Sequence, residues 1–421
     1  MANTLFSALK KASENQFAFS IDEENPYEVK EWIDTGCFVL NAILSDGDMN
    51  KGIPGGKRIM IAGESGVAKS LFIAIMTKAY LDQVENSSIV FFESEASTIV
   101  EMAKSIGIPE DKMMVCPVGT IEEFRTQSVR ILDKVVEMNV AIDKKNAAIE
   151  TENLKKKNAD NQKPLLKHHK PIFVLDSLGN LGTFAENEII RLDKRGKGKK
   201  SQTRDMTRAQ LIRGMSRAIS LKIAMAQIPL LFTNHTYKVM AEYTPDETSG
   251  GGGVKYMSDI CLILTKAKEK DESKKQTGII VTITTRKSRY MKENKSVKVL
   301  ISFERGLYRF SDMVNKAAEL GVLKKDGQSY LFPPDFSKDG KIKMKDVRQH
   351  TSKYFKAELF DALRDAIKTD FGFGIDDGKF GFFDDMEDIP DDDADEEEID
   401  GLLEDFSEAA PGSPADSDKA E

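Results

Sequence analysis

The sequence predicts an α/β fold on a mostly parallel central sheet, with a short N-terminal arm, a small C-terminal subdomain and a disordered acidic tail. Three observations predict it. The apolar runs RIMIA (58–62), SIVFFE (88–93), IFVLD (172–176) and IPLLFTN (228–234) alternate with longer helical patterns, the layout of parallel strands joined by crossover helices. After residue 253 the pattern changes to VTITTRKS and SVKVLISFE, whose alternation suggests antiparallel strands that extend the sheet. Charge is also divided along the chain. Of 61 Lys and Arg and 69 Asp and Glu, the segment from Asp376 holds only two and 20, leaving 59 basic against 49 acidic residues in the body. A basic body suits a polyanionic partner.

In chain order, residues 1–30 read as a polar, amphipathic arm, with Leu5, Leu9 and Ala12 at helix-like spacing. The core follows over 31–310. Within it Met206, Ala209, Ile212, Met215, Ile219 and Ile223 fall on one face of a helix able to cover the sheet. Residues 143–170, rich in Lys and Asn, read as a solvated insertion. A smaller unit over 311–375 opens on the helical pattern FSDMVNKAAELGVL. The stretch DDMEDIPDDDADEEEIDGLLEDFSE, within the tail 376–421, carries too much charge for a packed core. The 421 residues, 40% apolar, suffice for one large core. No run reaches the ~20 apolar residues of a membrane span, and the start lacks a secretory leader's apolar segment, so a soluble cytoplasmic protein is expected. Cys37, Cys116 and Cys261 are far apart, without a CxxC pair, which supports neither a disulfide framework nor a zinc site.

The segment GESGVAKS, comprising Gly63, Glu64, Ser65, Gly66, Val67, Ala68, Lys69 and Ser70, lies between a short strand and the helical pattern LFIAIMTKAYL. A phosphate-binding loop needs this placement, because backbone N–H groups and a helix N-terminus must converge on the phosphates. Lys69 would reach the β- and γ-phosphates of ATP and Ser70 would ligate Mg²⁺. Ala68 stands where such loops usually place glycine. Asp176 ends a buried strand beside the loop and could join the Mg²⁺ shell; Glu95, just past SIVFFE, could orient or deprotonate an attacking water. Taken singly, each carboxylate also fits a solvated strand end.

The ordered set DTGCFVLNAIL, GGKRIMIAGESGVAKS, FFESEAS, FVLDSLGNL, LFTNHTY, SGGGGVKYMSD and RKSR, spanning about residues 30–335, resembles the RecA-type recombinases, and their T-even phage branch in particular. The resemblance implies a RecA-like P-loop ATPase core, with Glu95 as the catalytic glutamate and Asp176 as the Mg²⁺-linked aspartate. It makes His235 a γ-phosphate sensor coupling nucleotide state to DNA binding. Lys287 and Arg289 become the basic pair that reaches across a filament interface to the neighbour's ATP. The arm 1–30 would serve polymerisation. Met102 stands where the family tends to stack an aromatic ring on adenine, so stacking is not carried over.

Two stretches are candidates for DNA contact, and both occupy the positions of the family's DNA-binding loops. The first groups Lys194, Arg195, Lys197, Lys199, Lys200 and Arg204 around two glycines, suited to following phosphates. The second carries Lys238, Gly250, Gly251, Gly252, Gly253 and Lys255, where glycines let backbone N–H groups approach a strand. Neither offers paired side chains on a rigid helix, so binding should be sequence-tolerant. The acidic tail could compete for these loops. The expected function is an ATP-dependent recombinase that forms filaments on single-stranded DNA and pairs them with homologous duplex, with a mediator and a single-strand-binding protein as further partners. Two alternatives remain: a hexameric helicase of the same fold, for which only about 30 residues precede the core where a collar domain is needed, and an ATP-gated single-strand-binding filament.

Overall fold

The computed structural model describes residues 4–14, 19–20, 25, 27–95, 99–155, 162–192, 203–237, 247–248, 254, 257–270, 274–332 and 340–373. The elements run α1 (Thr4–Ala12), β1 (Trp32–Ile33), α2 (Phe38–Leu44), β2 (Ile53–Pro54), β3 (Arg58–Gly63), α3 (Lys69–Gln83), β4 (Ser87–Glu93), α4 (Ile99–Ser105), β5 (Met113–Pro117), α5 (Ile121–Leu154), β6 (Lys170–Asp176), α6 (Phe184–Leu192) and α7 (Thr203–Ala226). Then come β7 (Leu230–Tyr237), β8 (Glu247–Thr248), β9 (Ile260–Lys270), β10 (Gln276–Ser288), β11 (Ser296–Ser302), β12 (Gly306–Leu307), α8 (Met313–Glu319), β13 (Lys324–Asp326), β14 (Ser329–Leu331), β15 (Lys341–Lys343), α9 (Met344–Gln349), α10 (Thr351–Tyr354) and α11 (Ala357–Phe371).

The fold is α/β on a large, mostly parallel sheet, in the order β12-β11-β10-β9-β3-β7-β6-β4-β5 with β8 beside β7. The four apolar runs singled out in the sequence are neighbours at its centre, all parallel. Every residue of β3 is buried, as expected of a parallel strand covered on both faces. Two further parallel strands, β5 and β9, flank this set and escaped the sequence reading. The second half of β9 is charged and exposed, and β5 exposes Met114 and Val115, so neither shows the periodicity of a covered strand. β10 and β11 extend the sheet antiparallel, as the alternation predicts.

Each sheet face has its own apolar cluster. On one, Ile212, Met215, Ile219 and Ile223 of α7 and Phe124 and Leu132 of α5 cover Phe92, Phe173 and Phe232. Phe92 meets Phe124 edge-on, with centroids 4.9 Å apart. On the other face α2 and α3 pack with the C-terminal helices in one cluster running from Ile33 to Phe371, and Phe38 lies 4.8 Å from Phe360 between ring centroids. In α1, Leu9 is exposed.

Residues 143–155 and 162–170 are more ordered than their composition suggests. α5 opens with a capping box between Thr120 and Glu123 and runs 34 residues. Asn139, Asn146 and Asn153 lie seven residues apart on it, and each side-chain amide pairs with the backbone of the returning chain. Asn139 accepts from His169 N (2.8 Å) and donates to His169 O (3.0 Å). Asn146 does the same with Leu166 (2.8 and 2.8 Å) and Asn153 with Lys163 (2.8 and 2.8 Å). Seven helical residues advance about 10.5 Å and three extended ones about 10 Å, so the two spacings keep step. Replacement Asn146→Ala is expected to speed amide hydrogen exchange at Leu166 by about tenfold without moving the global unfolding midpoint, because the bonds lost are exposed and local; exchange mass spectrometry checks it.

Candidate active site

The loop between β3 and α3 is shaped by two residues in the left-handed region, Gly66 (φ 77°) and Ala68 (φ 76°). An alanine with a Cβ occupies that region at a penalty of about 1 kcal/mol, which is why glycine usually stands there. Lys69, only 7% exposed, opens α3 and folds over the loop, its ammonium donating to the carbonyls of Gly63 and Glu64, both at 2.9 Å. Burial depresses the Lys69 pKa, against the opposing charges of Glu95 and Asp176.

Strand register assembles the rest. Gly63 on β3 stands opposite His235 on β7, and Glu93 on β4 opposite Asp176 on β6, so four adjacent strands deliver their C-terminal ends to one edge. Asp176, 1% exposed, accepts from Ser70 Oγ at 2.8 Å and from Thr233 Oγ1. Burial raises its pKa, and these two hydrogen bonds work against the rise. Glu95, two residues beyond β4, reaches over β6 to His235 Nε2 at 3.2 Å, while its own N–H donates to Glu93 Oε1 at 2.7 Å. Lys69, Ser70, Asp176, Glu95 and His235 thus form one group. A lysine, a hydroxyl and a carboxylate beside a helix N-terminus are the donor set for a magnesium-bound triphosphate.

Lys287 and Arg289 lie elsewhere. Lys287 pairs in register with Cys261, and its ammonium donates to Ser258 O at 2.9 Å. Arg289 Nε lies 3.2 Å from Asp259 Oδ1, a carboxylate it shares with the buried guanidinium of Arg58 at 2.9 Å. Burial disfavours the Asp259 carboxylate, but the hydrogen bonds and charge of Arg58 outweigh it and hold its pKa below the ordinary value. Burial, then Arg289, lowers the Lys287 pKa. Arg58 begins β3 and Gly63 ends it, so this cluster is about 16 Å from the loop along the strand.

No family model matches the chain. It is 26% identical over 321 residues to the recombination and repair protein of Enterobacteria phage T4, covering 76% of this chain and 72% of that protein. It is 23% identical over 349 residues to RecA of Wolbachia sp. subsp. Drosophila simulans (strain wRi), covering 82% and 84% of the two chains. RecA of Petrotoga mobilis is 23% identical over 302 residues, 71% and 69% of the two. The chain is similar to the RecA-type recombinases over most of its length.

Lys194, Arg195, Lys197, Lys199, Lys200, Lys238, Gly250, Gly251, Gly252, Gly253 and Lys255 fall outside the described residues, as does the tail. The backbone of Arg204 belongs to α7. Met102 is partly buried against the core. Three contributors went unnoticed in the sequence. Thr233 was legible only through its register next to Asp176; Lys266, whose ammonium donates to Gly66 O, and Arg208, described below, carry no local pattern. Among the described residues, no helix is long and apolar enough to cross a membrane.

Two outcomes are expected here. Ala68→Gly relieves the left-handed strain and raises the urea midpoint by the equivalent of about 0.5–1 kcal/mol, at unchanged m-value. For Asp176, a folded-state pKa above the unfolded one means that the native state holds the proton more tightly, so its charge weighs against folding at neutral pH and this is relieved as pH falls through the raised pKa towards 3.8. The stability of Asp176→Asn relative to the parent should therefore decline as pH is lowered from 7, as paired denaturation curves would record.

Proposed function

We infer that this chain is an ATP-dependent recombinase of recombination and repair, assembling on single-stranded DNA as a filament and exchanging its strand with a homologous duplex. Similarity over most of the chain to the T4 recombination and repair protein and to RecA supports the class. The observation that carries the chemistry is the Ser70–Asp176 pair at 2.8 Å beside Lys69, with Glu95 and His235 on the same sheet edge.

The loop amides and the N-terminus of α3 hold the phosphates, and Lys69 neutralises them. Ser70 Oγ and an Asp176 oxygen are hard ligands that would hold magnesium, and the ion would supply positive charge to offset that of the phosphates. Asp176 in turn is steadied by Thr233. Glu95 orients the attacking water and takes its proton, and His235 holds Glu95 in place until the γ-phosphate competes for the ring. Lys287 and Arg289, on the far edge of the sheet, act on the nucleotide of an adjacent protomer, where their charge stabilises the transferring phosphoryl group. The basic segment around Lys194–Lys200 and the glycine run Gly250–Gly253 grip the DNA backbone, and base pairing supplies the specificity. Such a protein works in the cytoplasm.

Hydrolysis measured with and without single-stranded DNA, followed by electron microscopy of the same sample, tests the class: stimulated turnover with helical filaments is expected. Unwinding from a free end without homologous DNA would favour a helicase, and a grip on unpaired DNA indifferent to ATP would end the proposal. The interface reading has its own test. Lys69→Ala and Lys287→Ala are each expected to lose hydrolysis by at least about 10²-fold. Mixed in equal parts they should recover activity at about one interface in four, because a head-to-tail contact can then join an intact Lys69 to a neighbour's intact Lys287. Absence of recovery in verified mixed filaments means that both residues serve the same protomer.

A further inference from the structure

The turn after Asp176 is joined to the candidate active site on one side and to the stems of a candidate DNA segment on the other. Ser177 N donates to Ser94 Oγ at 2.7 Å, and Ser94 Oγ donates to Ser177 O at 2.8 Å, binding the turn to the end of β4. Leu178–Asn180 form a single tight turn before α6. The start of α6 is capped reciprocally: Glu186 N donates to Thr183 Oγ1 at 3.1 Å and Thr183 N donates to Glu186 Oε2 at 2.8 Å. α6 leads into residues 193–202, and α7 follows them.

On α7, Arg208 Nη2 donates to Gly179 O at 2.8 Å and approaches Leu178 O at 3.4 Å. Its Nε is buried and has no hydrogen-bond partner among the described residues. Buried guanidinium N–H groups are almost always paired, so this one is an exception that calls for a reason. On its other side Gly179 abuts β7: a Cβ there would come within 3.1 Å of both His235 Cδ2 and Asn234 Oδ1. One residue thus leaves no room for a side chain beside the ring that holds Glu95 and also accepts the bond that anchors α7.

We propose that Arg208 is a positioning residue, through which the state of the His235–Glu95 pair sets the stance of α7 and the affinity of residues 193–202 for single-stranded DNA. The inference rests on the recombinase reading and adds the residue that couples its two sites. A shift of the His235 ring moves Gly179, which has no side chain to absorb it, and carries the 178–179 carbonyls with it. The rigid fork of Arg208 then has two ways to hold them, through Nη2 or through the idle Nε, giving α7 two stances. Lysine can hold one carbonyl but has no second donor fixed in the same plane.

The test uses the full chain and two variants, Arg208→Lys and Arg208→Ala. The affinity for a fluorescent oligo-dT is measured with ADP and with a non-hydrolysable ATP analogue, alongside hydrolysis without DNA. The ratio of the two affinities is expected to fall by about tenfold in both variants, with hydrolysis in the absence of DNA within about twofold of the parent. A merely structural pin would weaken binding equally in both nucleotide states and leave the ratio intact, and that result in Arg208→Lys overturns the proposal. Should Arg208→Ala fail to fold, the lysine variant alone decides. If the parent itself shows a ratio of one, the recombinase reading falls and this coupling with it; a parent ratio above one retained in Arg208→Lys sinks the coupling alone.

Discussion

The buried carboxylate of Asp176 is the constraint on which the rest of the site depends. It ends β6 in the middle of the sheet, where its charge is costly, and two hydroxyls from separate segments compensate it: Ser70 from α3 and Thr233 from β7. Those bonds decide the position of the first turn of α3 relative to the sheet edge, and through it that of the loop carrying Lys69. The same register puts His235 beside Gly63 and leaves Glu95 to reach across one strand. Neither carboxylate would have a defined partner without four strands ending at one level. Parallel connection secures that level, because each strand must be followed by a crossover before the next begins.

The second consequence of the parallel sheet is polarity. Its two edges are chemically different, and among the described residues the far edge gathers several cations around Asp259. Lys57, Arg58, Lys287 and Arg289 all act on Asp259 or on one another, and burial together with neighbouring positive charge lowers the pKa of both Lys57 and Lys287. A group of like charges half withdrawn from water is unfavourable within one protomer and becomes favourable when an anion approaches. The strand length separates that group from the loop of its own chain. In the head-to-tail assembly proposed above, each protomer would offer its basic edge to the neighbour's phosphate edge.

What could be read from the sequence follows what is local in it. The central strands announce themselves as continuous apolar runs because helices cover them on both faces. Gly63–Ser70 announces itself because the loop conformation restricts residue type at adjacent positions, and even the departure at Ala68 lands on a left-handed residue. Asp176 and Glu95 were legible as strand-end acids. Their partners were not: Thr233 is one more residue in the run IPLLFTN, and Arg208 one of several basic residues on α7. Only the three-dimensional register turns those side chains into hydrogen-bond donors to the site. The strands β5 and β9 were missed for the converse reason, since partial exposure removes the pattern that burial imposes.

The segment 143–170 shows composition and spacing in conflict. Its lysines and asparagines, with little apolar content, argue for a solvated loop if residues are counted. The positions of the asparagines argue otherwise. Seven-residue intervals return to the same helical face, and an amide presents one donor and one acceptor, as a backbone peptide does. Asn139, Asn146 and Asn153 therefore replace the missing strand partner of residues 163–169, a role no apolar side chain could fill at an exposed site. Ion pairs from Lys167 to Glu85 and Lys170 to Glu31 fasten the returning chain to the body, though exposed pairs of this kind contribute little stability. The order of this arm thus comes from repeated polar geometry instead of burial, and that is why a reading weighted towards hydrophobic periodicity passed over it.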